Sequence, residues 1–255
     1  MSNGRNRTSH YIRSEGPKPD AVKRGLVWLL ELGRKENRKS ALLAVPVMDN
    51  LSGVIEEVLG ERAIKALKQG SAVNLESVVS VSLLTERKDV FNHQGPVIAV
   101  YPNKKLLDKI DNMRGVTDVL VIPWSLQEIQ YWIETWQALE LGASGNSPIE
   151  QSFSNPVVEE ALKSLTSRVN LRAGIAHPMD KAAAVDLFKK LKAAKIAYDP
   201  TEIRGWLVRH GWESDDADEV KDIAEKISQG RAVRSANGGW ADDIVNLWRE
   251  RASKS

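Results

Sequence analysis

Apolar residues follow two rhythms along this chain, short unbroken runs in its first half and helical spacing in its second, and the change between them divides the molecule. Residues 96–101 and 118–123 are apolar runs without alternation, the pattern of strands buried on both faces. Each run leads through a polar residue into a helical pattern. Asn103 is placed to cap residues 104–113, whose Leu106, Leu107, Ile110 and Met113 point inward, and Ser125 with Glu128 forms a capping box ahead of Ile129, Trp132, Ile133, Trp136 and Leu139. The helix between the runs is long enough to return the chain for a parallel neighbour, so residues 95–141 predict a βαβα unit.

The same punctuation recurs upstream. Residues 41–47 form a further apolar run that meets proline and is followed by Asp49 and Asn50, so a third strand is expected there. Residues 75–84 alternate instead, with Leu75, Val79, Val81 and Leu83 against Glu76, Ser80 and Ser82; one wet face predicts a strand at the sheet edge. Asp20 opens a helix reaching about Gly33, with Val22, Leu26, Leu29 and Leu30 as its stripe. Residues 54–68 read as one helix broken at Gly60 or as two short ones.

Beyond residue 155 no strand pattern occurs. Asn155 and Pro156 start a helix lined by Val158, Ala161, Leu162, Leu165 and Val169. Asp180 starts the next, with Ala184, Val185, Phe188 and Leu191 inside and Lys189, Lys190, Lys192 and Lys195 outside. Asp199 and Glu202 form a capping box for a helix that Gly211 stops. Ser214 leads a helix with acidic residues in its first turn, and Ile244, Leu247 and Trp248 mark a last one. The expected fold is therefore α/β, a small mostly parallel Rossmann-like sheet with flanking helices, followed by a separate all-α domain. In residues, this gives a flexible basic tail at 1–19, the α/β domain at 20–141, a small polar linker at 142–154, and a domain of about five helices at 155–255.

Composition narrows the chemistry. A length of 255 residues suits two domains. The absence of cysteine removes disulfides, thiolate metal sites and thiol nucleophiles. The four histidines are scattered without ligand spacing, and no phosphate-loop, dinucleotide, nucleophile-elbow or zinc-protease motif is found, so no metal site, cofactor or catalytic residue is expected. No run is long enough for a membrane helix, and a cytoplasmic protein with no membrane partner is the expectation. Basic residues gather at the front: residues 1–40 hold 10 Lys and Arg against 4 Asp and Glu, whereas residues 41–155 hold 9 against 14. Such an arm suits an anionic partner.

Two sites follow. Ligands of open parallel sheets bind beyond the carboxyl ends of the strands, which gathers Asp49, Asn50, Ser52, Thr85, Arg87, Asn103, Lys104, Trp124 and Ser125 as a site for a small anionic ligand. In the helical half, Lys189, Lys192, Arg204, Arg209, Arg231 and Arg234 form a nucleic-acid surface if the helices on either side of residues 195–199 act as a helix-turn-helix with a wing-like loop. The resulting reading is a non-catalytic binding or regulatory protein. Its alternatives are an enzyme acting on a phosphate-containing or nucleotide substrate at the sheet edge, and an adaptor that uses its eight tryptophans as anchors for a protein partner. The pattern sets no oligomeric state.

Overall fold

The computed structural model describes residues 7–35, 39–143, 153–171, 173–236 and 239–254. They form two compact units, within Arg5–Pro148 and Ile149–Ser255. Most of the predicted linker, residues 144–152, lies outside the described residues.

The first unit is a seven-stranded sheet ordered β3-β4-β2-β5-β6-β1-β7. Its strands are β1 (Thr8–Tyr11), β2 (Ser40–Ala44), β3 (Val73–Leu75), β4 (Val79–Leu84), β5 (Gly95–Val100), β6 (Val116–Ile122) and β7 (Leu139–Glu140). All pairs are parallel except β3 with β4. Every residue of β5 is buried, as is most of β2 and β6, because helices cover both faces. On one face α1 (Pro19–Lys35), α2 (Val54–Leu59) and α3 (Glu61–Lys68) close a core that joins Val22, Trp28, Leu29, Ile55, Ile64 and Leu67 to Leu43, Val81, Ile98 and Leu120. The alternate side chains of the same strands face α4 (Lys104–Asn112) and α5 (Leu126–Trp136), whose Leu106, Leu107, Ile110, Ile129 and Trp132 are fully buried. Burying each such aliphatic side chain contributes about 1.5–3 kcal/mol. Gly25 lets α1 approach the sheet, since a Cβ there would lie 2.9 Å from the Ile122 Cδ1.

Three expectations are corrected. Residues 8–11, read as flexible tail, form β1, held by parallel pairing to β6 and β7 and by Ile12, which is 1% exposed; backbone pairing does what the sparse apolar side chains could not. The alternating stretch is not an edge strand. It is a hairpin in which Glu76 and Ser77 take positive φ at the turn, so β3 becomes the edge and shields β4. Finally, α5 stops at Trp136, where Gln137 adopts φ 50°, and Leu139 belongs to β7.

The second unit is helical: α6 (Pro156–Arg168), α7 (Pro178–Ala193), α8 (Pro200–Arg209), α9 (Ser214–Ser228) and α10 (Ile244–Ala252). Its core includes Leu162, Phe188, Leu207, Trp212, Ala224 and Trp248, all at most 1% exposed. The indoles of Trp212 and Trp248 donate to the hydroxyls of Thr166 and Ser164, both at 3.0 Å, so their polar edges are satisfied inside.

Candidate functional site

From β2 the chain passes through α2 and α3 to one side of the sheet, and from β5 through α4 to the other. The crevice between β2 and β5 is therefore the switch point at which open α/β sheets place ligands. The predicted rim residues do lie just beyond the carboxyl ends of the strands, Asp49 and Asn50 in a 3-10 turn and Lys104 at the start of α4. Their polar groups, however, are largely engaged with one another. Asn103 caps α4, its Oδ1 accepting from Leu106 N at 3.0 Å, and its Nδ2 donates to Glu86 Oε1 at 2.7 Å. That hydrogen bond first, and then Lys105, 3.3 Å from the other oxygen, holds the Glu86 carboxyl below the usual carboxylate range despite some opposing desolvation. Lys104 pairs with Asp108 at 2.5 Å.

Thr85 is buried and its hydroxyl accepts from Lys88 N at 3.1 Å. Lys109 fastens the same loop, donating to the carbonyls of Thr85, Glu86 and Lys88 at 2.9, 3.1 and 3.0 Å and pairing with Asp89 at 2.7 Å. Asn50 turns back to accept from Val47 N at 3.1 Å, and Ser52 accepts from Lys68 at 3.2 Å, while Asp49 and Arg87 are exposed. Trp124 is 48% exposed and meets Tyr101 edge-on at 5.5 Å. The capping box predicted at Ser125 is absent: its side chain accepts no helical N–H, and Glu15 Oε1 receives Leu126 N at 3.4 Å instead. Sequence reasoning placed Glu86 in a polar loop bordering the site and Lys105 beside Lys104 as an anion contact, but missed that the two pair with each other and missed Lys109 altogether. Only the position of Glu86 just past a strand hinted at its part.

The helical residues separate into two groups. Arg204 was expected to project outward but is 4% exposed, its Nε donating to Asp218 Oδ1 of α9 at 2.5 Å. Arg209 is half-buried, and burial pushes its guanidinium below its usual value against the opposing pull of Glu202 and Glu159. Ile203 through Val208 are all buried. A recognition helix needs an open face, so α8 does not have the exposure that the helix-turn-helix expectation required.

Lys189, Lys192 and Arg231 do come together. Helix α7 ends where Lys195 takes φ 57° and α9 ends where Gly230 takes φ 79°, and between these ends lies an open groove of about 400 Å³. Ala193, Ile227, Ala232 and Val233 supply its apolar lining, and no carboxylate lines it. Lys192 donates to the Ile227 carbonyl at 2.7 Å, capping α9. The side chains of Lys189, Arg231 and the exposed Arg234 have no hydrogen-bond or ion-pair partner among the described residues. Among the described residues no group of His, Asp and Glu is placed to hold a metal ion, and no helix is long and apolar enough to cross a membrane.

Residues 154–249 match the model of a family described as a domain of unknown function, DUF1889. A crystal structure of a protein from Salmonella typhimurium matches 39% of this chain and 99% of its own length at 21% identity, with a TM-score of 0.34. No curated protein matches the chain.

Proposed function

We propose that this is a non-catalytic, cytoplasmic two-unit binding protein whose helical unit engages the phosphates of nucleic acid through Lys189, Lys192, Arg231 and Arg234. The observation that carries the reading is the convergence of cationic side chains on one groove whose lining holds no carboxylate. Nearby, Lys190 pairs with Asp242 at 3.2 Å and Lys226 with Asp222 at 2.5 Å; Lys189 and Arg231 in the groove have no such carboxylate among the described residues, which suits them to an external anion. The apolar lining contains no aromatic ring on which a base could stack, which favours backbone contact over base readout.

The test is fluorescence anisotropy with a short labelled duplex between about 50 and 200 mM salt, comparing the wild type with the double variant Lys189→Glu, Arg231→Glu. Loss of two phosphate contacts should weaken binding about tenfold or more and lower the salt slope by roughly two. Unchanged affinity and slope would remove the reading. The α/β unit has a second place in this proposal, a small anionic ligand or a partner at the rim where Arg87 and Trp124 are exposed. Thermal melting with millimolar phosphate or nucleotide tests it, and an unshifted transition rules it out.

A further inference from the structure

The groove between α7 and α9 is a recess, and its cations stand on fixed backbone. Lys189 and Lys192, three residues apart on α7, share one side of that helix. Arg231 is set by the end of α9: with Gly230 at φ 79°, Gly230 N donates to the Ile227 carbonyl at 3.0 Å and Arg231 N to that of Lys226 at 2.9 Å, the paired bonds of a left-handed helix end. Lys192 also donates to the Ile227 carbonyl, at 2.7 Å, and so answers the partial negative charge of that helix terminus. Lys189 and Arg231 face outward.

Carbon covers the space between them. Ala193, Ile227, Ala232 and Val233 line the recess, whose volume is about 400 Å³. That lies within the roughly 300–1,000 Å³ of sites that enclose a small molecule, room for about one or two nucleotides of a strand. A base-paired rod does not enter it. A duplex turns phosphate and sugar outward and keeps the apolar faces of its bases stacked inside, so its phosphates can meet the cations only from above, with the aliphatic lining still in water. An unpaired strand brings the same phosphates together with bases whose faces are free to cover that lining. Nor does α8 offer a duplex anything to receive: Ile203 through Val208 are buried and Arg204 is engaged by Asp218, so this helix has no face to lay in a major groove.

Resting on the proposed role of this groove in nucleic-acid binding, we propose that its ligand is a single strand, held by phosphates on Lys189 and Arg231 with the faces of unpaired bases against Ile227, Ala232 and Val233. Base pairing then opposes binding. Counterion release alone ranks the two forms the other way, because phosphate charge is denser along a duplex, so the order of affinities separates this proposal from plain attraction between charges.

Fluorescence anisotropy of the full chain, with a labelled single strand and with a hairpin duplex carrying the same number of phosphates, tests it. The single strand should bind about tenfold or more tightly than the duplex. Val233→Ser, at a partly exposed loop position and with both cations kept, should narrow the gap by weakening the single strand alone. Equal affinities, or a tighter duplex, both lost in the double variant Lys189→Glu, Arg231→Glu, would overturn the single-strand assignment and leave the groove a phosphate site. If that double variant binds both forms as the wild type does, the groove is not the site, and the broader reading falls together with this one. A gap that Val233→Ser leaves unchanged would overturn the seating of the bases on the aliphatic lining.

Discussion

Arg204 Nε lies 2.5 Å from Asp218 Oδ1, and the arginine side chain is 5% exposed against 35% for the aspartate. The pair thus ties α8 to α9 through a charge that has left water and a partner that has only partly done so. Breaking a pair of this kind costs mainly through the buried charge left behind. Asp218→Asn should destabilise the helical unit by about 1–3 kcal/mol, less than for a fully buried pair because solvent reaches the carboxylate. Urea denaturation followed by tryptophan fluorescence measures it. Arg204→Met, which removes the charge and keeps much of the volume, should cost less than Asp218→Asn. The reverse order would mean that the arginine acts chiefly through Asp218 as an attraction rather than as a buried cation needing company.

Lys109 should govern the loop at the carboxyl edge of the sheet. Its ammonium touches three carbonyls and Asp89, and it is presented by the last turn of α4. Lys109→Met keeps the stem and removes the donor. Hydrogen exchange should then speed up at the Lys88 amide, which bonds the Thr85 hydroxyl, while the buried amides of β5 stay protected. The stability loss should be about 1.5–3 kcal/mol, as for other hydrogen bonds to a charged group. Equal exchange in variant and wild type would show that the loop is set by its own turn and not by the lysine.

That loop marks how far the residue pattern reaches. The unbroken runs at residues 96–101 and 118–123 report burial on both faces directly, and β5 and β6 with their following helices were legible for that reason. Caps made by a residue on its own helix were legible too, as at Asn103, Asn155 and Asp199. Contacts across the fold were not. Ser125 loses its cap to Glu15, and Glu202 turns from its own helix to Ser154, accepting from its N–H at 2.6 Å and its hydroxyl at 2.5 Å. β1 was missed because its stability comes from two neighbours far along the chain, which a scan for local periodicity does not see. The basic groove was half legible: the outward face of α7 follows from helical spacing, but the burial of Arg204 depends on where α9 lies.

Acidification should destabilise both units, and the sign follows from three histidines. Burial first holds His10, His93 and His210 below the usual imidazole value. For His10 the charge of Asp118 opposes the shift. For His93 the carbonyl of Pro96, 3.3 Å from its Nε2, does so. His210 stacks on Trp206 with ring centroids 3.6 Å apart, and its Nδ1 lies 2.7 Å from the Trp206 carbonyl, which raises its pKa; Arg209 and Lys163 lower it while Glu159 raises it. Above about pH 7.5 these rings are uncharged both folded and unfolded and contribute no pH dependence. As the pH drops through about 6.5, the unfolded chain takes up the protons first, and stability declines until the folded-state values are reached. Denaturation midpoints should therefore fall between about pH 7.5 and 5. His210→Gln should flatten the decline in the helical unit and leave that of the α/β unit unchanged. A midpoint that rose on acidification would place these imidazoles in charged, partnered surroundings, contrary to the packing of His210 on Trp206.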